Sequence, residues 1–124
     1  MIRVLLVEDS LHILTSLSGL ISTQPDFLLV GTARNGIEAI TMTNELLPTV
    51  VVMDAQMPRL DGVGATRRIK REWPSVGILF FSVFTDDVEA SIVAGADGYL
   101  TKDCSSVELF DEIRRIASCF KSAC

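Results

Sequence analysis

No apolar run in this sequence is long enough to cross a membrane: Arg3, Glu8 and Asp9 interrupt the first one almost at once. The same early acidity rules out a secretory signal and leaves the cytoplasm as the expected location. Cysteines number only three, Cys104, Cys119 and Cys124, an odd count without the spacing of a metal site. They read as free thiols. Basic residues are too few for a nucleic-acid surface, since the net charge is −5. Internal repeats, low-complexity segments and an evident linker are all lacking, so one domain spanning 1–124 is expected.

What is present is a regular alternation. Short apolar runs at Ile2–Val7, Phe27–Ala33, Val50–Met53, Val76–Phe81 and Gly98–Thr101 predict five strands. Between them lie helical patterns. Ser10 caps the first, which carries Leu14, Leu17 and Ile21 on one face and runs to Ser22. Asn35-x-x-Glu38 opens the second, which ends near Leu47 ahead of Pro48. Asp61-Gly62 opens the third, ending at Glu72. Asp86 caps a short one with Val88, Ile92 and Val93 inside. Ser105-x-x-Glu108 opens the last, with Phe110, Ile113, Ala117 and Phe120 inward. Strands alternating with helices through right-handed crossovers give a parallel sheet covered on both faces, a three-layer α/β sandwich. VLLV, VVVM and ILFF are continuous apolar runs, as doubly covered strands require.

In such a sheet ligands bind beyond the carboxyl ends of the strands. Glu8 and Asp9 follow the first strand, Asp54 the third, Ser82 the fourth and Lys102 the fifth. Three carboxylates so placed repel one another unless a cation joins them, and Mg²⁺ suits an all-oxygen site. Lys102 is a compact cation for a phosphate, and Ser82 supplies a hydroxyl donor. Asp54 then reads as a nucleophile that accepts a phosphoryl group.

VLLVEDS, VVVMDAQMPRLDG, ILFFS and GYLTKD, in this order and at this spacing, resemble the receiver domain of bacterial two-component response regulators. The resemblance implies the flavodoxin-like strand order 2-1-3-4-5. It implies phosphorylation of Asp54 by a sensor histidine kinase. Asp9 would bind Mg²⁺ directly, Glu8 mainly through water, and the backbone carbonyl of Gln56 would complete the protein ligands. Ser82 and Lys102 would hold the phosphoryl oxygens. Tyr99 matches the family's switch aromatic, although its position reads equally as a half-buried sheet residue.

Two departures stand out. The first acidic residue is Glu8 where many receivers have aspartate. Asp103 follows Lys102 where many have proline, which makes a cis bond there costly. Lysine followed by aspartate, with GVGATRRIKRE, is similar to the NarL/FixJ-type regulators, whose output is a helix-turn-helix DNA-binding domain; none lies in these 124 residues. The expected function is a phosphorylation switch rather than an enzyme, with self-catalysed phosphotransfer and slow autodephosphorylation, and dimerisation on phosphorylation. A receiver-like binding module that is never phosphorylated is the alternative. An aspartate-nucleophile phosphohydrolase fits less well, because Gln56 stands where its second carboxylate belongs. A flavin carrier fits poorly, because Glu8 and Asp9 would repel its phosphate. Asp61 and Asp86 read as helix caps, His12 as a helix residue without a special role, and Arg67, Arg68, Lys70 and Arg71 as a solvated helix face.

Overall fold

The computed structural model describes residues 1–55, 61–82, 92 and 94–122, the side chains of 120–122 excepted. Five strands form one parallel sheet in the order β2-β1-β3-β4-β5. They are β1 (Ile2–Val7), β2 (Phe27–Ala33), β3 (Val50–Asp54), β4 (Gly77–Ser82) and β5 (Gly98–Thr101). The described helices are α1 (Leu11–Ser22), α2 (Gly36–Leu46), α3 (Gly62–Glu72) and α4 (Ser106–Ser122).

Alternation along the strands divides the core in two. Val4, Leu6, Val50, Val52, Leu79 and Phe81 face one layer with Leu14, Leu17 and Ile21 of α1 and Leu109, Phe110 and Ile113 of α4. Leu5, Val7, Val51, Met53, Ile78 and Phe80 face the other with Ala39 of α2 and Ala65 and Ile69 of α3. Each fully buried aliphatic or aromatic side chain contributes about 1.5–3 kcal/mol. The central strands therefore hold their ends on a stiff platform.

Helix starts follow the sequence closely. Ser10 accepts from the Ile13 amide at 3.4 Å, and Asp61 from the Gly64 amide at 2.8 Å. Asn35 accepts from the Glu38 amide at 2.9 Å, and Glu38 answers by accepting from the Asn35 side-chain amide at 2.9 Å. The Ser105–Glu108 box closes in both directions, at 3.1 Å and 3.3 Å. Leu47 ends α2 in the left-handed region at φ 46°. Pro48 disfavours the right-handed helical conformation at the residue before it, so the helix stops there.

Two expectations shift, and one feature is new. Asp54 and Ser82 are the last residues of their strands rather than the first beyond them, because the ladder to the neighbouring strand continues through both. β1 and β2 slip register between Val4 and Leu5, so Val30 is an extra residue in β2. Ile92 is expected inside but is 67% exposed, while Ala94, two residues on, is buried. Two helical positions apart is nearly opposite faces, so both cannot point to the core. The expected cap at Asp86 and the inward Val88 and Val93 lie outside the described residues, as does the Phe120 side chain.

Candidate functional site

β1, β3 and β5 bring their carboxyl ends to one edge, and four of the expected side chains meet there. Glu8 and Asp54 are 2% and 5% exposed. Single ligand oxygens of Glu8, Asp9 and Asp54 lie within 4.8 Å of one another. Lys102 reaches in from the end of β5, with its Nζ 3.2 Å from Asp54 Oδ1 and donating to Glu8 Oε1. Its amide donates to the Ser82 carbonyl at 2.7 Å, which ties the lysine to the end of β4. Ser82 itself is 1% exposed, one residue beyond Phe81, the cross-strand partner of Asp54.

The edge depends on a close approach behind it. The Gly62 amide donates to the Ala55 carbonyl at 3.0 Å, so α3 begins directly against the end of β3. A Cβ at Gly62 would fall 2.0 Å from the Asp54 carbonyl oxygen. Only glycine fits there.

Charge is not balanced at this edge. Burial, opposed by Lys102 and reinforced by Glu8, pushes the Asp54 carboxyl up to about 7. Burial opposes the Lys102 charge, but Glu8 and Asp54 outweigh it and raise its pKa. One ammonium cannot neutralise three acids. The donors are all oxygen, the chemistry that a hard divalent cation takes, and a cation would offset the burial and the Glu8 charge that keep Asp54 partly protonated. The residues therefore fit Mg²⁺.

The remaining expectations are placed less closely. Gln56 lies outside the described residues. Tyr99 is half-buried on β5, stacked on Phe80 with ring centroids 6.0 Å apart. No cis peptide bond occurs among the described residues, so Lys102–Asp103 is trans, and Asp103 accepts from the Thr101 hydroxyl instead. Cys104 is half-buried, and burial, with Glu108 and Asp103 beside it, pushes its thiol pKa up, which opposes redox reactivity. One neighbour of the site was not legible in the sequence. Arg34, just past β2, donates through Nη2 at 2.9 Å and Nε at 3.3 Å to the Asp9 carbonyl. The pair is 25 residues apart, and no spacing rule connects them.

The family model of the response regulator receiver domain matches residues 4–114. This chain belongs to the response regulator receiver family. The response regulator protein VraR of Staphylococcus aureus is 36% identical over 116 residues, covering 92% of this chain. The chain spans 56% of that relative's length. Among solved structures, the response regulator domain of Thermotoga maritima CheB is 31% identical, covers 95% of this chain and 97% of its own, and has a TM-score of 0.88. A two-component response regulator of the LuxR family from Aurantimonas sp. SI85-9A1 is 31% identical, covers 95% of this chain and 86% of its own, and has a TM-score of 0.90. The receiver fold is thus shared throughout, and in this receiver the acidic edge sits at the carboxyl ends of β1 and β3. No described helix is long and apolar enough to cross a membrane.

Proposed function

We propose that this receiver is a phosphorylation switch in which Asp54 takes a phosphoryl group from the phosphohistidine of a sensor kinase. The observation that carries the reading is the buried Asp54 carboxylate, within 4.8 Å of the Glu8 and Asp9 ligand oxygens and beside the Lys102 ammonium. An Asp54 oxygen attacks phosphorus, the phosphorus–nitrogen bond to the imidazole breaks, and the ring nitrogen leaves with the bonding pair. The product is an acyl phosphate. Lys102 shifts its ion pair toward the phosphoryl oxygens, and Ser82 donates its hydroxyl to one of them. Little covalent help is needed in phosphoryl transfer, so positioning and charge compensation supply most of the catalysis.

Asp9 and Asp54 would hold Mg²⁺ directly, Glu8 through water, and the Gln56 carbonyl would complete the set. Bound there, the ion offsets the carboxylate charge so that a polyanion can approach. Ser82 and Lys102 adjoin β5, where Tyr99 is stacked on Phe80, and Tyr99 turns further inward as Ser82 moves to the phosphoryl group. The signal passes from there to a homodimer and to an output, transcriptional regulation through a helix-turn-helix domain, in the cytoplasm. The relatives' greater length supports an output beyond these residues.

Intact mass after incubation with Mg²⁺ and acetyl phosphate tests the reading. One phosphoryl group is expected, absent in Asp54→Asn and lost slowly in buffer. Uptake that survives Asp54→Asn would sink the assignment, and continuous phosphate release at enzyme-like rates would favour a hydrolase.

A further inference from the structure

Asp9 is the least buried member of the acid trio. Its carboxylate makes no hydrogen bond or ion pair with a described residue, whereas Glu8 is held at both oxygens, by Lys102 at Oε1 and by the Ser10 amide at Oε2, 3.1 Å away. A carboxylate with no partner of its own must be aimed by its backbone. That backbone is pinned on either side of Asp9. The Glu8 amide donates to the Ala33 carbonyl at 3.0 Å, and the Ser10 amide is the one bound by Glu8. Among the described residues the Asp9 carbonyl is held by Arg34 alone, through two donors of one guanidinium.

We propose that Arg34 is a positioning residue for the metal site: its fork fixes the Asp9 peptide so that the free carboxylate stays turned toward the cation. The proposal rests on the Mg²⁺ reading above. Two N–H donors converging on one carbonyl restrict its rotation more than a single bond does, and the planar guanidinium is already shaped to do so. Partners that orient metal ligands in this way typically contribute about tenfold or more to metal affinity.

Charge and positioning predict opposite signs, which makes the idea testable. A cation close to the site repels Mg²⁺, so loss of Arg34 by charge alone would tighten binding. Loss of the fork would weaken it. Calorimetric titration with Mg²⁺ on the wild-type, Arg34→Ala and Arg34→Lys proteins separates the two. The expected result is a Kd raised about tenfold in Arg34→Ala and partly restored in Arg34→Lys, which keeps a donor but not the fork. In the metal-free protein, amide exchange at Ser10 should quicken in Arg34→Ala while β3 amides keep their protection. An unchanged or lower Kd in Arg34→Ala would overturn the proposal, and so would equal quickening across β3, which marks general loosening. If wild-type protein binds Mg²⁺ yet takes up no phosphoryl group, the switch reading fails while the role of Arg34 stands or falls on its own Kd.

Discussion

The two edges of the sheet use the same kinds of charge to opposite ends. At the amino edge Lys70 and Arg114 each meet an acid. Lys70 Nζ donates at 3.0 Å to Asp97 Oδ2, to the Pro74 carbonyl and to the Val76 carbonyl. Asp97 Oδ2 also accepts from the Ile78 amide at 2.8 Å, which fastens the start of β4 to the approach to β5. Arg114 forks Asp26 at 2.8 Å and 3.0 Å, and its guanidinium carbon lies 4.9 Å over the Phe27 ring. At the carboxyl edge Glu8 and Asp54 share one lysine, and Asp9 stands beside them with no ion pair among the described residues. The first arrangement is finished when the chain folds; the second is completed only by something added.

That contrast sets the sign of the pH dependence, and the carboxyl edge should show the largest effect. The folded pKa of Asp54 is about 7, above its ordinary 3.8. The folded state therefore binds more protons than the unfolded state between these values, and stability falls as pH rises through 7. Between pH 5 and pH 8 the loss should be about 2 kcal/mol. Thermal unfolding of the metal-free protein from pH 5 to pH 8 measures it. Mg²⁺ should restore stability at pH 8 far more than at pH 5, and Asp54→Asn should flatten the profile. A flat wild-type profile would mean that the edge is not electrostatically strained.

The amino edge answers a different perturbation. Lys70→Met should lower stability by about 2 kcal/mol, since it leaves Asp97 half-buried without its ammonium and frees two main-chain carbonyls. Urea unfolding gives the loss, and calorimetry should find the Mg²⁺ affinity unmoved. Weakened Mg²⁺ binding in this variant would show that the two edges are coupled and not independent.

The sequence disclosed these two edges unequally. Asp54 was legible because a carboxylate at the tip of VVVM violates the pattern of a buried strand, and Glu8, Asp9 and Lys102 joined it once the topology placed the strand ends together. The caps at Ser10, Asn35, Asp61 and Ser105 were legible because their partners lie three residues away. Lys70 was not. It stands in the basic run Arg67–Arg71 and was read as solvated, yet its side chain is only 15% exposed, because its partner Asp97 is 27 residues away. Long-range charge pairs leave no periodic trace. Nor did the strand pattern give the extra residue at Val30, where the register of β2 against β1 shifts.

The smallest expected effect is also the cleanest reversal of sign. The Arg114 hydrogen bonds hold the Asp26 carboxyl below its ordinary value. The unfolded state then binds more protons around pH 4, so this pair stabilises the fold above that pH and loses its contribution as pH falls. Both side chains are substantially exposed and screened by salt, and the bidentate geometry with the Phe27 stacking keeps the pair above the median surface bridge. Arg114→Leu should lower stability slightly at pH 7 and less at pH 3, by urea unfolding. Asp54 and Asp26 are the same side chain on the same sheet, so opposite slopes in one protein would locate the difference in their surroundings. If Arg114→Leu instead cost as much at pH 3 as at pH 7, the contribution of Arg114 would come from its contact with Phe27 and its hydrogen bond to Gln24 Oε1, and the matched-charge account of the amino edge would rest on Lys70 alone.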